Sequence, residues 1–77
     1  MKTYSIERKH SSDQHASRQG KYFTSTREAR KAMKIMVRQE ADSCLPSVTS
    51  KLDDNYSIRF GQENHWTVGY WISEVKP

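Results

Sequence analysis

Between Ser25 and Ala41 the apolar residues recur at helical spacing. At about 100° per residue, Ala29, Ala32, Met33, Met36 and Val37 gather on one side, and Arg27, Arg30, Lys31, Lys34 and Arg38 gather on the other. The pattern predicts an amphipathic helix over residues 25–41 with a basic ridge. Ser25-x-x-Glu28 forms a capping box, in which a hydroxyl and a carboxylate each accept a backbone N–H of the first turn. Pro46 forces the end, because the residue before a proline is steered out of helical geometry.

The remaining apolar positions alternate with period two. Tyr4 and Ile6 against Ser5 and Glu7 predict a half-buried strand over residues 3–9. Residues 21–24 predict a short extended piece from which either Tyr22 or Phe23 faces the core. Between them, residues 10–20 (HSSDQHASRQG) hold no apolar side chain except Ala16, which predicts a mobile polar loop at the tip of a hairpin. Beyond the helix, residues 48–52 predict a weak edge strand, a place that suits Lys51, and Asp53-Asp54-Asn55 predicts a turn. Tyr56, Ile58 and Phe60 then share one strand face. Gly61-Gln62-Glu63-Asn64 predicts the next turn, and Trp66, Val68, Tyr70 and Ile72 line the same face of a closing strand.

One heavy apolar sheet face and one apolar helix stripe bury each other, since neither is stable alone. The expected fold is therefore α+β: a single helix packed across an antiparallel sheet of four to five strands, in the order β-β-α-β-β with room for an extra edge strand. The whole chain, residues 1–77, is expected to form a single domain. Trp71 falls on the second sheet face beside Thr67 and Gly69. There it serves as a stacking or interface anchor, or it packs beneath the first strand or the polar loop.

Composition sharpens this picture. At 77 residues there is room for one core only. A hydrophobic content of 34% with 29% charged residues is polar, yet two Trp, four Tyr and two Phe argue against disorder. The net charge of +4 is uneven: residues 1–41 carry ten Lys and Arg against four Asp and Glu, and residues 42–77 carry three against five. That asymmetry favours an anionic partner and gives it a preferred side of approach. No apolar run approaches the length of a membrane span, and no signal-peptide core follows Met1-Lys2. Together with the single Cys44, these features make a cytoplasmic protein the expectation.

The ridge runs against local rules. Arg27 and Arg30 crowd the positive end of the helix dipole while Glu40 and Asp42 lie at the negative end, each placement costing roughly 0.3–1 kcal/mol when exposed. Like-charged pairs three and four apart add roughly 0.2–0.5 kcal/mol each. Two readings fit: a solvated face on which salt screens the repulsion, or a contact surface for an anionic partner. On the second reading the partner-binding residues are Arg27, Arg30, Lys31, Lys34 and Arg38, with Lys21 and Trp71.

No catalytic constellation, phosphate loop, H-E-x-x-H or C-x-x-C occurs. The chain is expected not to be an enzyme and to carry no cofactor. His10, His15, His65 and Cys44 do not have the spacing of a zinc site, so no metal is expected. The signatures of RNA recognition motifs, KH domains, zinc fingers and helix-turn-helix pairs are missing too; a nucleic-acid contact would act chiefly through phosphates.

The opening MKTYSI strand, the polar loop, the entry into the TSTREARKA helix and the aromatic hairpin (SIRF, WTVGYWI) together resemble small phage-encoded inhibitor proteins, including anti-CRISPR proteins of type I systems. The resemblance lies in element order and size. It implies a cofactor-free protein of the host cytoplasm that blocks a host protein or nucleoprotein complex by occupying it. Several such inhibitors are acidic mimics of DNA, and the basic N-terminal half departs from that pattern. The implied partner is accordingly an acidic protein patch, with nucleic acid as the alternative.

Overall fold

A computed structural model describes residues 2–61 and 66–76. The chain runs β1 (Thr3–His10), β2 (Ser17–Phe23), α1 (Thr26–Ser43), β3 (Ser47–Leu52), β4 (Asn55–Phe60) and β5 (Trp66–Val75). The five strands form one antiparallel sheet in the order β2-β1-β5-β4-β3, and α1 lies across one of its faces. This is the expected α+β architecture, with β3 as the extra edge strand. The expected turn at Gly61-Gln62-Glu63-Asn64 lies, beyond Gly61, outside the described residues.

The closing strand inserts between the first strand and β4, which sets the register of the core. Ile6 stands opposite Ile72, Ile58 opposite Val68, and Tyr56 opposite Tyr70. All of these face the helix, whose buried stripe is Ala29, Met33, Val37 and Ala41, spaced four apart. Met33 is 1% exposed and sits at the centre of that stripe. Met36 is only partly buried. Phe23, not Tyr22, supplies the core aromatic of β2. Trp66, expected in the core, is 37% exposed at the rim, where it stacks on Phe60 with ring centroids 6.1 Å apart. It is not among the side chains packed with the helix stripe, and Phe60 opposite it takes the buried place instead.

The polar stretch over residues 10–20 is shorter as a loop than expected. β1 continues to His10, and β2 already begins at Ser17. The sequence pattern marked only the end of β2, from Lys21, because an edge strand with exposed Ser17, Arg18 and Lys21 shows no apolar period. A bulge also breaks its register: between the Tyr4–Phe23 and Ile6–Gln19 pairs, β1 advances two residues while β2 advances four. Gly20, with φ +74°, lies inside this bulge.

Ser25 caps α1 as expected, its Oγ accepting the Glu28 N–H at 3.1 Å. At the other end the helix has no basic residue in its last turn. Two hydroxyls meet its carbonyls instead: Ser43 Oγ donates to the Glu40 carbonyl at 2.6 Å and Ser47 Oγ to that of Ala41 at 2.8 Å. Among the described residues no helix is long and apolar enough to cross a membrane.

Candidate partner-binding surface

Because Met33 and Val37 point at the sheet, the helical period fixes where the other side chains go. Arg27, Arg30, Lys34 and Arg38 fall on the flank of α1 that overhangs β3 and β4, with Lys31 at its outer margin. All five are exposed. A cleft of about 140 Å³ opens beneath this flank, lined by Arg30, Lys31 and Lys34 from the helix and by Lys51, Asp54 and Tyr56 from the β3–β4 hairpin, with Met33 beside them. Arg30 Nε lies 3.0 Å from Asp54 Oδ1. Both side chains are about half exposed, so this ion pair contributes at most about 1 kcal/mol. Lys51 Nζ sits 5.8 Å from the centroid of the Tyr56 ring.

Four cations thus surround one carboxylate. Lys51 joins the ridge because it stands opposite Tyr56 in the β3–β4 register and shares its helix-facing side. Strand parity carried that signal in the sequence: an odd position in β3 pairs with an even one in β4 across a two-residue turn.

The opposite flank of α1 has a different character. A broader open cleft of about 320 Å³ lies there, lined by Gln19, Met36, Gln39, Glu40, Ser43 and Tyr70. Glu40 Oε1 accepts from Arg8 Nε at 2.6 Å and from the Tyr70 hydroxyl at 2.8 Å. Burial pushes the Glu40 carboxyl up, but the hydrogen bonds from Arg8 and Tyr70 more than reverse it and hold it below its ordinary range. The hydrogen bond to Glu40 raises Arg8. Burial, aided by the Glu40 carboxylate, pushes the Tyr70 phenol up to about 12. Glu40, adverse to the helix dipole by sequence, is therefore placed for a tertiary bond that ties β1 and β5 to the helix.

Lys21 and Trp71 do not join the basic flank. Lys21 lies on β2, at the far edge of the sheet from β3, with its Nζ 5.6 Å from the centroid of the Phe23 ring. Trp71 stands on the sheet face away from the helix, opposite Glu7 and half-buried. Its indole lies over Gly69, where an added Cβ would meet Cζ3 at 3.7 Å. Register continues without a break through Gly69, which pairs with Lys9 and Ser57, so no bulge resets the alternation. The indole thus lies at ordinary van der Waals distance from where a Cβ at position 69 would be.

His10 is engaged inside its own turn. Its Nδ1 accepts from the Ser12 backbone N–H at 3.0 Å, and its backbone N–H donates to Asp13 Oδ2 at 3.0 Å. Cys44 is exposed. His65 lies outside the described residues, and among those described no three His, Cys, Asp or Glu side chains converge. No family model, curated protein or solved structure matches the chain.

Proposed function

We propose that this chain is a non-enzymatic binding protein, a phage or mobile-element inhibitor of the anti-CRISPR-like kind its sequence layout resembles. It docks the basic flank of α1 on an acidic surface of a host protein or nucleoprotein complex in the cytoplasm and blocks that complex sterically. The observation that carries this reading is the excess of charge at the cleft, where, among the described residues, Arg30, Lys31, Lys34 and Lys51 face the single carboxylate of Asp54. A protein under selection for stability alone would intersperse carboxylates on such a flank. An anionic partner turns the local repulsion into binding energy.

The same cations also suit the phosphates of a nucleic acid, and this second reading is favoured by the three lysines, which serve as point charges for phosphate. Capture of partners from bacterial lysate, with and without nuclease, separates the two. A discrete protein complex that survives nuclease supports the inhibitor; loss of every partner on nuclease treatment supports direct nucleic-acid binding.

A further inference from the structure

The two outer strands of the sheet are unlike. β2 is broken by the bulge at Gly20, which twists its edge away from further pairing. β3 pairs with β4 without interruption from Ser47–Phe60 to Leu52–Asn55, and no described strand lies on its outer side. The Gly61 N–H bonds to the Pro46 carbonyl at 2.9 Å, and antiparallel hydrogen-bonded pairs alternate from there. Val48, Ser50 and Leu52 are thereby turned toward β4, while the N–H and C=O groups of Ser47, Thr49 and Lys51 point outward. An open strand edge therefore runs beside the cleft that Arg30, Lys31 and Lys34 line with Lys51.

We infer that β3 and the basic flank form one composite site, which takes an extended partner segment of alternating acidic and aliphatic residues by strand addition. This rests on the reading of the flank as a docking surface. The segment's backbone pairs with Ser47, Thr49 and Lys51. Its acidic side chains, all on one face, meet the helix cations and Lys51. Its aliphatic side chains, on the other face, cover Val48 and Leu52, which are 53% and 76% exposed. Charge selects this occupant over a second copy of the chain, because two β3 edges brought together would place two Lys51 side chains and two basic clefts side by side.

The test titrates isotope-labelled protein with a capped peptide of alternating Glu and Val, following the backbone amides by NMR. Slowed hydrogen exchange at the Thr49 and Lys51 amides is expected, together with binding at least about tenfold weaker for the same peptide N-methylated on the backbone edge that faces β3. Thr49→Pro removes an outward donor without touching the β3–β4 ladder, so the variant should fold and lose the peptide. Equal affinity for the N-methylated peptide overturns strand addition even if Thr49→Pro misfolds. Equal affinity for a peptide of alternating Lys and Val overturns the charge selection, and failure of both peptides to bind overturns the composite site. Charge reversal on the helix tests the docking reading separately, with no peptide involved.

Discussion

Arg30 and Asp54 join the basic flank of the helix to the turn between β3 and β4, with Nε and Oδ1 3.0 Å apart. Asp54 is the one carboxylate among the described residues lining the cleft, and it neutralises only one of four cations there. The positive potential left over points outward, since the opposite side of the helix is sealed by Met33 and Val37 against the sheet.

The Arg8–Glu40–Tyr70 bonds set the pH limits of stability. Glu40 is held below its ordinary value of 4.5, so its contribution is present above that value and is lost as pH falls through the lower folded value. Tyr70 is raised from 10.0 to about 12, so its contribution is complete below 10.0 and disappears as pH climbs toward 12. Melting temperature measured against pH should fall at both ends. Glu40→Gln should flatten the acid limb and Tyr70→Phe the alkaline limb, each costing roughly 1.5–3 kcal/mol at neutral pH through a lost charged hydrogen bond. An unchanged pH profile in both variants would show that these bonds do not form in solution.

Met33→Ala should cost roughly 2–5 kcal/mol, because a long side chain at the centre of the helix stripe leaves a cavity that the paired strands beneath cannot fill. Urea unfolding checks this through the midpoint at constant slope. A loss below about 0.5 kcal/mol, the range of surface substitutions, would contradict the packing.

The helix, the β4 and β5 strands and their mutual burial were legible because each has a strong apolar period. Other features were hidden for physical reasons. β2 is polar and bulged, so residues 17–20 carry no alternation and pass for loop. Glu40 shows nothing locally of its bonds to Arg8, 32 positions away, and Tyr70, 30 positions away. At the candidate site the five helix cations followed from the wheel alone. Lys51 and Asp54 were missed because their closeness to the helix depends on how β3 folds back against β4. Lys21 belongs to an edge that a charge count cannot distinguish from the flank, whereas alternation already set Trp71 on the second sheet face.

Gly20→Ala should destabilise the fold by roughly 1–2 kcal/mol, since φ +74° is unfavourable for a residue with a Cβ. The added Cβ would also lie 3.2 Å from Met36 Cε, a flexible end that can move aside, so the backbone conformation dominates the cost. Denaturant unfolding of the variant is the check. Stability equal to wild type would mean that the bulge adopts another conformation in solution.

Charge reversal at Arg30, Lys34 and Arg38 bears most directly on function. These side chains lie outside the buried stripe of the helix, so the triple Glu variant should keep the far-ultraviolet circular dichroism of the wild type, its stability lowered mainly by loss of the half-exposed Arg30–Asp54 pair, at most about 1 kcal/mol. Relief of the Arg27/Arg30 and Lys31/Lys34 repulsions offsets part of this loss, by about 0.2–0.5 kcal/mol per pair, while positions 30, 34 and 38 remain like-charged. Binding should move the other way, each contact desolvated at an interface centre costing roughly 2–5 kcal/mol. The decisive measurement is capture of partners from bacterial lysate by wild type and triple variant side by side. The account predicts a folded variant that captures nothing the wild type captures; a folded variant that retains every partner would contradict it.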